Sequence, residues 1–333
     1  MKKALDYIWP VVGLLAVAFS FWLLARELRA ISAEDVLESM ARIGPWQLVL
    51  AALSTVAGYG MLAWYDRIAL LHLGVKHISW TFITLASFTT YALSHNIGAS
   101  VLSGAMVRYR AYTSQGLSPS QIAVLVGICS FTFVLGVVVL TGLVLVFEPY
   151  VLARLADLLP AGLQIEPVAQ GIGSALLLLV ALYLLGSLLG LPPLRIRAFR
   201  LDYPRPAVTA RQLAASTLDL LFTAAIVYFL LPWDANPGYF VVLAVFLASF
   251  SAALISHAPG GLGVFELVFI TAMPDIPDAE LIAALVLFRV YYLLVPFAFS
   301  LVVVAVFERR KLAEALRTRA KRLGRKGQGR ESG

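Results

Sequence analysis

Long apolar segments constrain this chain more than any other feature of its sequence. An α-helix rises about 1.5 Å per residue, so a helix that crosses a bilayer needs about 20 mostly apolar residues. Such segments lie at 8–25, 46–65, 121–147, 168–191, 208–231 and 280–306. Charged residues make up 14% of the chain, against about 25% in soluble domains. We therefore predict an all-α, polytopic membrane protein.

The N-terminal segment begins with two lysines and an apolar run, which superficially resembles a signal peptide. No small-residue cleavage site follows it, so we expect 8–25 to be retained as the first span. Segment 26–43 is charged but carries apolar residues at helical spacing. That pattern fits a helix on the membrane surface, and a solvated connector fits it equally well.

Two further apolar segments, 79–114 and 238–273, differ from the spans because Gly and His interrupt each one midway. A shift of 162 positions aligns them: the pattern A-S-F-x4-[LI]-S-H-x-x-G begins at Ala86 and again at Ala248. The same shift carries span 8–25 onto the fourth span and span 46–65 onto the fifth. The membrane part therefore consists of two related halves.

We accordingly predict a single membrane domain over 1–306, with one repeat at about 8–147 and the other at about 168–306, followed by a basic tail over 307–333. If both interrupted segments crossed the membrane, eight spans would divide the Lys and Arg residues 15 to 10. If each enters and leaves on one side, six crossings divide them 21 to 4. The positive-inside rule favours the second arrangement.

Three crossings per half make the two halves inverted relative to each other, which is an architecture of secondary transporters. A duplicated protein with eight full transmembrane helices is the alternative. Non-helical backbone at membrane depth persists only inside protein or beside a wet cavity, so the interrupted segments are expected to be re-entrant hairpins with facing tips. Their candidate site residues are Ser94, His95, Gly98, Ser256, His257, Pro259, Gly260 and Gly261.

The hairpin tips are expected to bind an anion, because a half-helix begins there with free N–H groups. A lipid phosphate is the candidate ligand. The alternative is that the Ser and His residues only cap the broken helices.

Arg289 is the clearest ionisable residue inside a span. Such a residue costs about 2.5–3.5 kcal/mol on insertion scales and usually faces the bundle interior. Asp219 and Glu266 are its candidate partners. A carboxylate that pairs with arginine in the empty site and releases it to a phosphate would make an alternating site.

On the predicted cytoplasmic side, Asp66 follows the second span, and Arg108 and Arg110 follow the first hairpin. These residues either pair with one another or grip a headgroup, since arginine suits bidentate phosphate contacts. The alternative for both arginines is that they extend to the interface and hold the helix orientation.

Several function classes have little support in the sequence. Ser94 and His95 are adjacent and cannot face each other on one helix, so a local Ser-His dyad fails, and nothing supports a dyad assembled between hairpins. There is no phosphate loop, dinucleotide motif or metal-ligand spacing, so we predict no catalytic residue, cofactor or metal. Cys129, the single cysteine, lies in an apolar run and is interpreted as a packed core thiol.

The net charge of +7 comes from the tail, which carries ten Lys and Arg against three Glu. The remaining 306 residues balance at sixteen charges of each sign, which argues against a nucleic-acid partner. We expect the tail to lie in the cytoplasm and bind anionic lipid, with docking of a separate lipid-modifying synthase as the alternative.

At its motifs the chain resembles the membrane flippase domain of the lysylphosphatidylglycerol synthase family, the multiple peptide resistance factor group. The carrying residues are 94–104, 108–110 and 256–266, and the resemblance covers about 8–310. It implies movement of aminoacylated phosphatidylglycerol or a related lipid between leaflets, and with it resistance to cationic antimicrobial peptides. It also implies roles for an acid late in the second span and an arginine after the first hairpin, which Asp66 and Arg108 match.

Full-length members of that family continue into more spans and a soluble aminoacyltransferase domain, whereas this sequence ends in the basic tail. We therefore expect no lysyltransferase activity, and the lipid stays open, including polyprenyl-linked and hopanoid-related molecules. We predict a bacterial inner-membrane transporter for an anionic or aminoacylated phospholipid such as lysyl-phosphatidylglycerol. The alternative is a non-catalytic subunit or scaffold for a lipid-modifying enzyme.

Overall fold

A computed structural model describes residues 33–97, 100–158, 165–192, 194–196, 199–201, 203–256 and 261–307. The helices are α1 (Ala33–Arg42), α2 (Pro45–His72), α3 (Trp80–Ile97), α4 (Ser100–Thr113), α5 (Pro119–Phe147), α6 (Ile165–Leu188), α7 (Pro206–Leu230), α8 (Tyr239–Ser256), α9 (Val264–Ala272) and α10 (Asp278–Phe307). A 3₁₀ segment covers Pro149–Leu158. Strands β1 (Leu194–Ile196) and β2 (Phe199–Leu201) form an antiparallel ribbon.

The prediction of an all-α membrane protein is confirmed, and the short β ribbon is an addition to it. Six helices of the described part are long and apolar enough to cross a bilayer: α2, α5, α6, α7, α8 and α10. Five of them match predicted spans, and α8 is the first arm of the second interrupted segment. The predicted span 8–25 lies outside the described residues. Residues 33–42 of the predicted surface segment form helix α1, which packs against α10.

Proline and a side-chain cap explain where several long helices begin. Pro45, Pro119 and Pro206 each occupy the first turn of a long helix, where the missing N–H costs nothing and φ is already helical. At the start of α5, the hydroxyl of Ser118 accepts from the N–H of Gln121, whose side chain accepts from the N–H of Ser118. These signals lie at the ends of the apolar segments, so hydropathy and capping agree.

The distribution of polarity is that of a membrane protein. Large apolar side chains are exposed on the outer surfaces of the long helices, as Leu178, Leu179 and Val302 illustrate. Polar side chains are buried between the helices, including Asp66, Asp219 and many Ser and Thr residues. Ionisable residues in a bilayer face the bundle interior, because lipid offers them no partner. The polar interior is therefore where a functional site is expected.

The described helices of the two predicted repeats follow the same order. Moving the starts of α2, α3, α4 and α5 by 162 residues brings each within three positions of the starts of α7, α8, α9 and α10. Helices α2 and α7 form the most extensive helix pair of the described part and lie at the centre of the bundle. The inverted orientation of the halves stays a prediction.

Each interrupted segment is a pair of helices packed against each other. A Cβ atom at Gly104 on α4 would lie 3.3 Å from Cγ2 of Thr90 on α3, and one at Gly261 would lie 2.8 Å from Cβ of Ala253 on α8. The second arms contain 14 and 9 residues, or about 21 and 14 Å, against a hydrocarbon core of about 30 Å. These lengths support the predicted re-entrant course, which remains a prediction.

Candidate functional site

Two consecutive residues of α2 connect this helix to two different neighbours. Adjacent residues of an α-helix point about 100° apart, so they face different elements. The hydroxyl of Tyr65 donates to Oδ2 of Asp219 on α7 at 3.0 Å. Asp66 instead forms an ion pair with Arg108 on α4. The centre of the bundle therefore contains two buried carboxyl groups with different surroundings.

Asp66 accepts hydrogen bonds on both oxygens. Oδ1 accepts from two nitrogens of Arg108, at 3.2 and 2.7 Å, and Oδ2 accepts from the hydroxyl of Tyr112 at 2.7 Å. The thiol of Cys129 on α5 lies 3.4 Å from Oδ1, so the predicted core thiol is buried and also contacts the acid. A carboxylate with this many donors is compensated, and it holds α4 against α2 and α5.

Arg108 and Arg110 lie on different sides of α4, since two residues correspond to about 200° of rotation. The side chain of Arg108 is 6% exposed, and its guanidinium lies over the ring of Tyr91, 4.8 Å from the centroid. Arg110 is exposed. The two arginines predicted to act together are therefore separated: Arg108 is occupied by Asp66, and Arg110 faces outward.

Arg289 is paired with Glu266, one of its two predicted partners. Its Nε lies 2.5 Å from Oε1 of Glu266, and a terminal nitrogen contacts the same oxygen. Oε2 of Glu266 accepts from the N–H of Gly263 at 2.9 Å, which caps the start of α9. The arginine and glutamate side chains are 16% and 13% exposed, so this ion pair is more accessible than the pair at Asp66.

A π-helical turn over Val290–Leu294 follows Arg289 directly. Such turns are rare and frequently occur at functional sites. The carbonyl of Tyr292 accepts from the hydroxyl of Tyr59 at 3.0 Å, and that of Leu293 accepts from the amide of Asn96 at 3.2 Å. The turn thus connects α10 to α2 and to the first hairpin.

The two motif serines make the same contact. Ser94 donates to the carbonyl of Tyr91 at 3.3 Å and Ser256 to that of Ala253 at 2.8 Å, each three residues back in its own helix. Such bonds to a carbonyl of the preceding turn are common for Ser in helices, so the binding and capping roles of both serines stay predictions. Gly261 has φ +67°, which favours glycine. The remaining predicted tip residues lie outside the described residues: Gly98, His257, Pro259 and Gly260.

His95 lies between two tyrosines at the end of α3. Its ring stacks on that of Tyr292, with centroids 5.4 Å apart, and lies 5.7 Å from that of Tyr91. Its Nδ1 is buried and has no hydrogen-bond partner among the described residues. The histidine therefore joins the first hairpin to the π-helical turn through ring contacts.

A cavity of about 500 Å³ lies between the first hairpin and the end of α10. Its polar lining residues are Thr89 and Arg110. The hydroxyl of Thr89 is buried and has no hydrogen-bond partner in the described structure. The apolar part of the lining includes Phe82, Leu85, Leu93, Met106, Val303 and Phe307.

The groups of this site can form ion pairs and hydrogen bonds with a ligand. Within the described ranges, no three His, Cys, Asp or Glu side chains form a group that would hold a metal ion. The arrangement contains two arginine–carboxylate pairs, the carboxyl group of Asp219, which is hydrogen-bonded to a tyrosine, and several other tyrosine hydroxyls. Sequence reasoning missed the residues that complete these contacts: Tyr59, Tyr65, Tyr91, Asn96, Tyr112 and Tyr292.

Two of the missed residues had a local signal, since Tyr65 precedes the predicted acid and Asn96 lies inside the repeated motif. Tyr112 and Tyr292 had none. Their contacts depend on how distant helices are rotated against each other, which no local pattern specifies.

Comparison with known proteins identifies the family. The family model described as the lysylphosphatidylglycerol synthase TM region matches residues 11–300. The chain belongs to this family. Its relatives include an uncharacterised protein of Synechocystis sp., slr0712, 29% identical over 303 residues that cover 89% of this chain and 90% of the relative. The inner membrane protein YbhN of Escherichia coli is 29% identical over 269 residues, which cover 80% of each chain.

The lysylphosphatidylglycerol synthase TM family also connects this chain to a named enzyme. Phosphatidylglycerol lysyltransferase of Staphylococcus aureus is 25% identical over 281 residues, which cover 84% of this chain but 31% of the enzyme. The similarity is therefore confined to about a third of that enzyme. The resemblance that the motifs predicted is confirmed at the level of the family.

Proposed function

We propose that the protein moves an anionic or aminoacylated phospholipid, such as lysyl-phosphatidylglycerol, between the leaflets of a bacterial inner membrane, without catalysing a covalent reaction. The names of two relatives support the setting: one is an inner membrane protein and another acts on phosphatidylglycerol. The proposal includes six crossings, two re-entrant hairpins and a cytoplasmic C-terminal tail.

The observation that carries the proposal is the accessible ion pair between Arg289 and Glu266. Arginine binds phosphate through two parallel, charge-assisted hydrogen bonds. Since the pair is partly exposed and joins the second hairpin to α10, a lipid phosphate can replace Glu266 on the guanidinium. The arginine then always has an anionic partner, first the protein's own carboxylate and then the lipid.

Glu266 also has a partner when the arginine is taken. Its second oxygen already accepts from the N–H of Gly263, at the N-terminal end of α9, where the helix dipole favours negative charge. An aminoacylated headgroup can form a second ion pair with the site, because it carries an ammonium group as well as a phosphate. The phosphate would bind Arg289 and the ammonium group would bind Glu266, which favours aminoacylated lipid over plain phosphatidylglycerol.

The cavity beside the first hairpin offers a place for an acyl chain. Its volume of about 500 Å³ lies within the range of about 300–1,000 Å³ that is typical of ligand pockets. Its walls are mostly apolar, and Arg110 provides a positive charge at the lining. The apolar walls suit the acyl chain of a lipid, and the positive charge suits its anionic headgroup.

Lipid movement in proteoliposomes tests the proposal. Fluorescent phosphatidylglycerol and its lysyl ester would be placed in vesicles, and dithionite would report how much label reaches the outer leaflet. The matched variants are Arg289→Gln and Arg154→Gln, since Arg154 forms an exposed pair with Asp275. A charge-assisted contact contributes about 1.5–3 kcal/mol, so Arg289→Gln should slow movement by about ten- to a hundredfold.

We expect protein-dependent movement that Arg154→Gln preserves and Arg289→Gln suppresses. Equal rates of lipid movement for wild type and Arg289→Gln would show that the arginine does not contact the moving lipid. If no lipid moves in the presence of wild-type protein, the transport proposal is wrong for these lipids, and the scaffold alternative gains support.

A further inference from the structure

The carboxyl group of Asp219 differs from those of Asp66 and Glu266. Its residue is 2% exposed, Oδ2 accepts from Tyr65, and Oδ1 has no hydrogen-bond partner among the described residues. Asp66 and Glu266 each form an ion pair with an arginine. No Lys or Arg side chain within the described ranges forms an ion pair with Asp219, although the group lies near the centre of the bundle.

The groups that face Asp219 do not supply a positive charge. The hydroxyls of Tyr59 and Tyr65 on α2 and of Tyr292 on α10 lie within electrostatic range of it. Thr223, one turn further on α7, donates to its backbone carbonyl. The other helices packed against α7 are α5, α6 and α8. Among their described residues, no titratable group interacts electrostatically with Asp219.

A carboxylate in these surroundings is unstable, because burial without a cation penalises the charged form strongly. Binding a proton removes the charge at once. The uncharged acid keeps its hydrogen bond, since the hydroxyl of Tyr65 can donate to Oδ2 or accept a proton that Oδ2 carries. The described geometry is therefore that of a site that holds one proton.

We propose that Asp219 is a proton-binding site, and that its proton couples lipid movement to the proton gradient across the membrane. The coupling rests on the proposed function, whereas the protonation does not. Tyr65 provides the link: it donates to Asp219, and the next residue of α2 holds the arginine of the first hairpin. Release of the proton would leave a carboxylate that draws hydrogen-bond donors or water toward α2 and α7.

Infrared spectroscopy of the protein in lipid nanodiscs tests the proton site directly. A protonated carboxylic acid has a carbonyl stretching band that a carboxylate lacks. The wild-type spectrum minus that of Asp219→Asn should contain this band at neutral pH. Asparagine has the shape of the protonated acid and can still accept from Tyr65, so the variant should fold. Tyr65→Phe is the second variant: it keeps the acid and should shift the band by removing one hydrogen bond.

Carboxylate bands in place of the acid band, in wild type and in Tyr65→Phe, would overturn the proton site. Coupling is measured by lipid movement under an imposed pH gradient. With one proton per lipid, the leaflet ratio should change by up to about tenfold per pH unit. In Asp219→Asn this dependence should disappear.

The two proposals can fail separately. An acid band together with gradient-independent movement would overturn the coupling alone. If wild-type protein moves no lipid, the transport proposal fails, and the infrared result still decides whether Asp219 holds a proton.

Discussion

Each hairpin is joined to a long helix by one arginine–carboxylate pair, but the two pairs have opposite polarity. In the first half, the long helix supplies the acid, Asp66, and the hairpin supplies Arg108. In the second half, the hairpin supplies Glu266 and the long helix supplies Arg289. The side chains of the first pair are 0% and 6% exposed, and those of the second are 13% and 16% exposed.

The difference in burial and in donor number separates two roles. Asp66 is surrounded by Arg108, the hydroxyl of Tyr112 and the thiol of Cys129, so a ligand would have to displace several donors at once. In the proposed exchange, Glu266 would lose only its arginine to a phosphate and would keep the N–H of Gly263. The first pair is therefore suited to holding its hairpin in place, and the second to exchanging partners with a headgroup.

The largest expected effect comes from breaking the buried pair. Arg108→Leu would leave the carboxylate of Asp66 buried without a cation, which typically costs about 3–5 kcal/mol of stability. The midpoint of thermal unfolding in detergent should fall markedly. Arg110→Leu, on the exposed side of the same helix, is the control, and its cost should stay below about 1 kcal/mol. Equal losses for the two variants would contradict the distinction between them.

Releasing Arg289 from its partner should strengthen lipid binding. Glu266→Gln removes the competing charge and keeps an acceptor for the N–H of Gly263. Affinity for phosphatidylglycerol, measured by equilibrium binding in detergent, should rise by about tenfold or more, since a charge-assisted bond is worth about 1.5–3 kcal/mol. Asp275→Asn releases Arg154 at the surface in the same way and should leave the affinity unchanged. An unchanged affinity in Glu266→Gln would contradict the exchange.

A smaller effect is expected where the first hairpin meets the π-helical turn. Asn96→Ala removes the hydrogen bonds to the carbonyls of Leu293 and Ala92. Because a neutral hydrogen bond contributes about 0.5–1.5 kcal/mol, the unfolding midpoint should fall slightly. If lipid movement also slows, the contact between the hairpin and the turn contributes to transport. If only the unfolding midpoint falls, the contact has a structural role alone.

The smallest effect is expected on α1. Arg42 forms an exposed pair with Glu38 one turn away, with side chains 64% and 66% exposed. Pairs of this kind contribute about 0.3–0.5 kcal/mol. Arg42→Gln should therefore leave unfolding and lipid movement within experimental error, and a large effect would show that exposure is a poor guide to the importance of ion pairs in this protein.

Much of the fold could be predicted from the sequence because hydropathy acts over whole segments. Five long apolar segments correspond to observed helices, and helices α3 and α8 end at the two predicted interruptions. The inverted repeat itself stays a prediction. Helix ends were less accurate: the segment predicted as 46–65 is the helix Pro45–His72. The extra residues include Asp66, Arg67 and His72, whose charge and polarity lower the local hydropathy and ended the predicted span too early.

The candidate site was predictable in its components and only in part in its pairing. Sequence reasoning left Asp219 and Glu266 as partners for Arg289, since both lie in apolar surroundings and either would satisfy it. The structure selects Glu266, which leaves Asp219 with a tyrosine. This choice depends on the relative rotation of α7, α9 and α10, and that rotation is a property of the packed bundle.

The most direct test of the central claim is lipid movement by the double variant Glu266→Gln/Arg289→Gln in proteoliposomes, together with its unfolding midpoint. Removing both charges eliminates the unpaired charge that either single variant leaves behind. We predict an unfolding midpoint close to that of wild type and lipid movement as slow as in Arg289→Gln. Movement restored to the wild-type rate would contradict the account, because the pair would then have only a structural role.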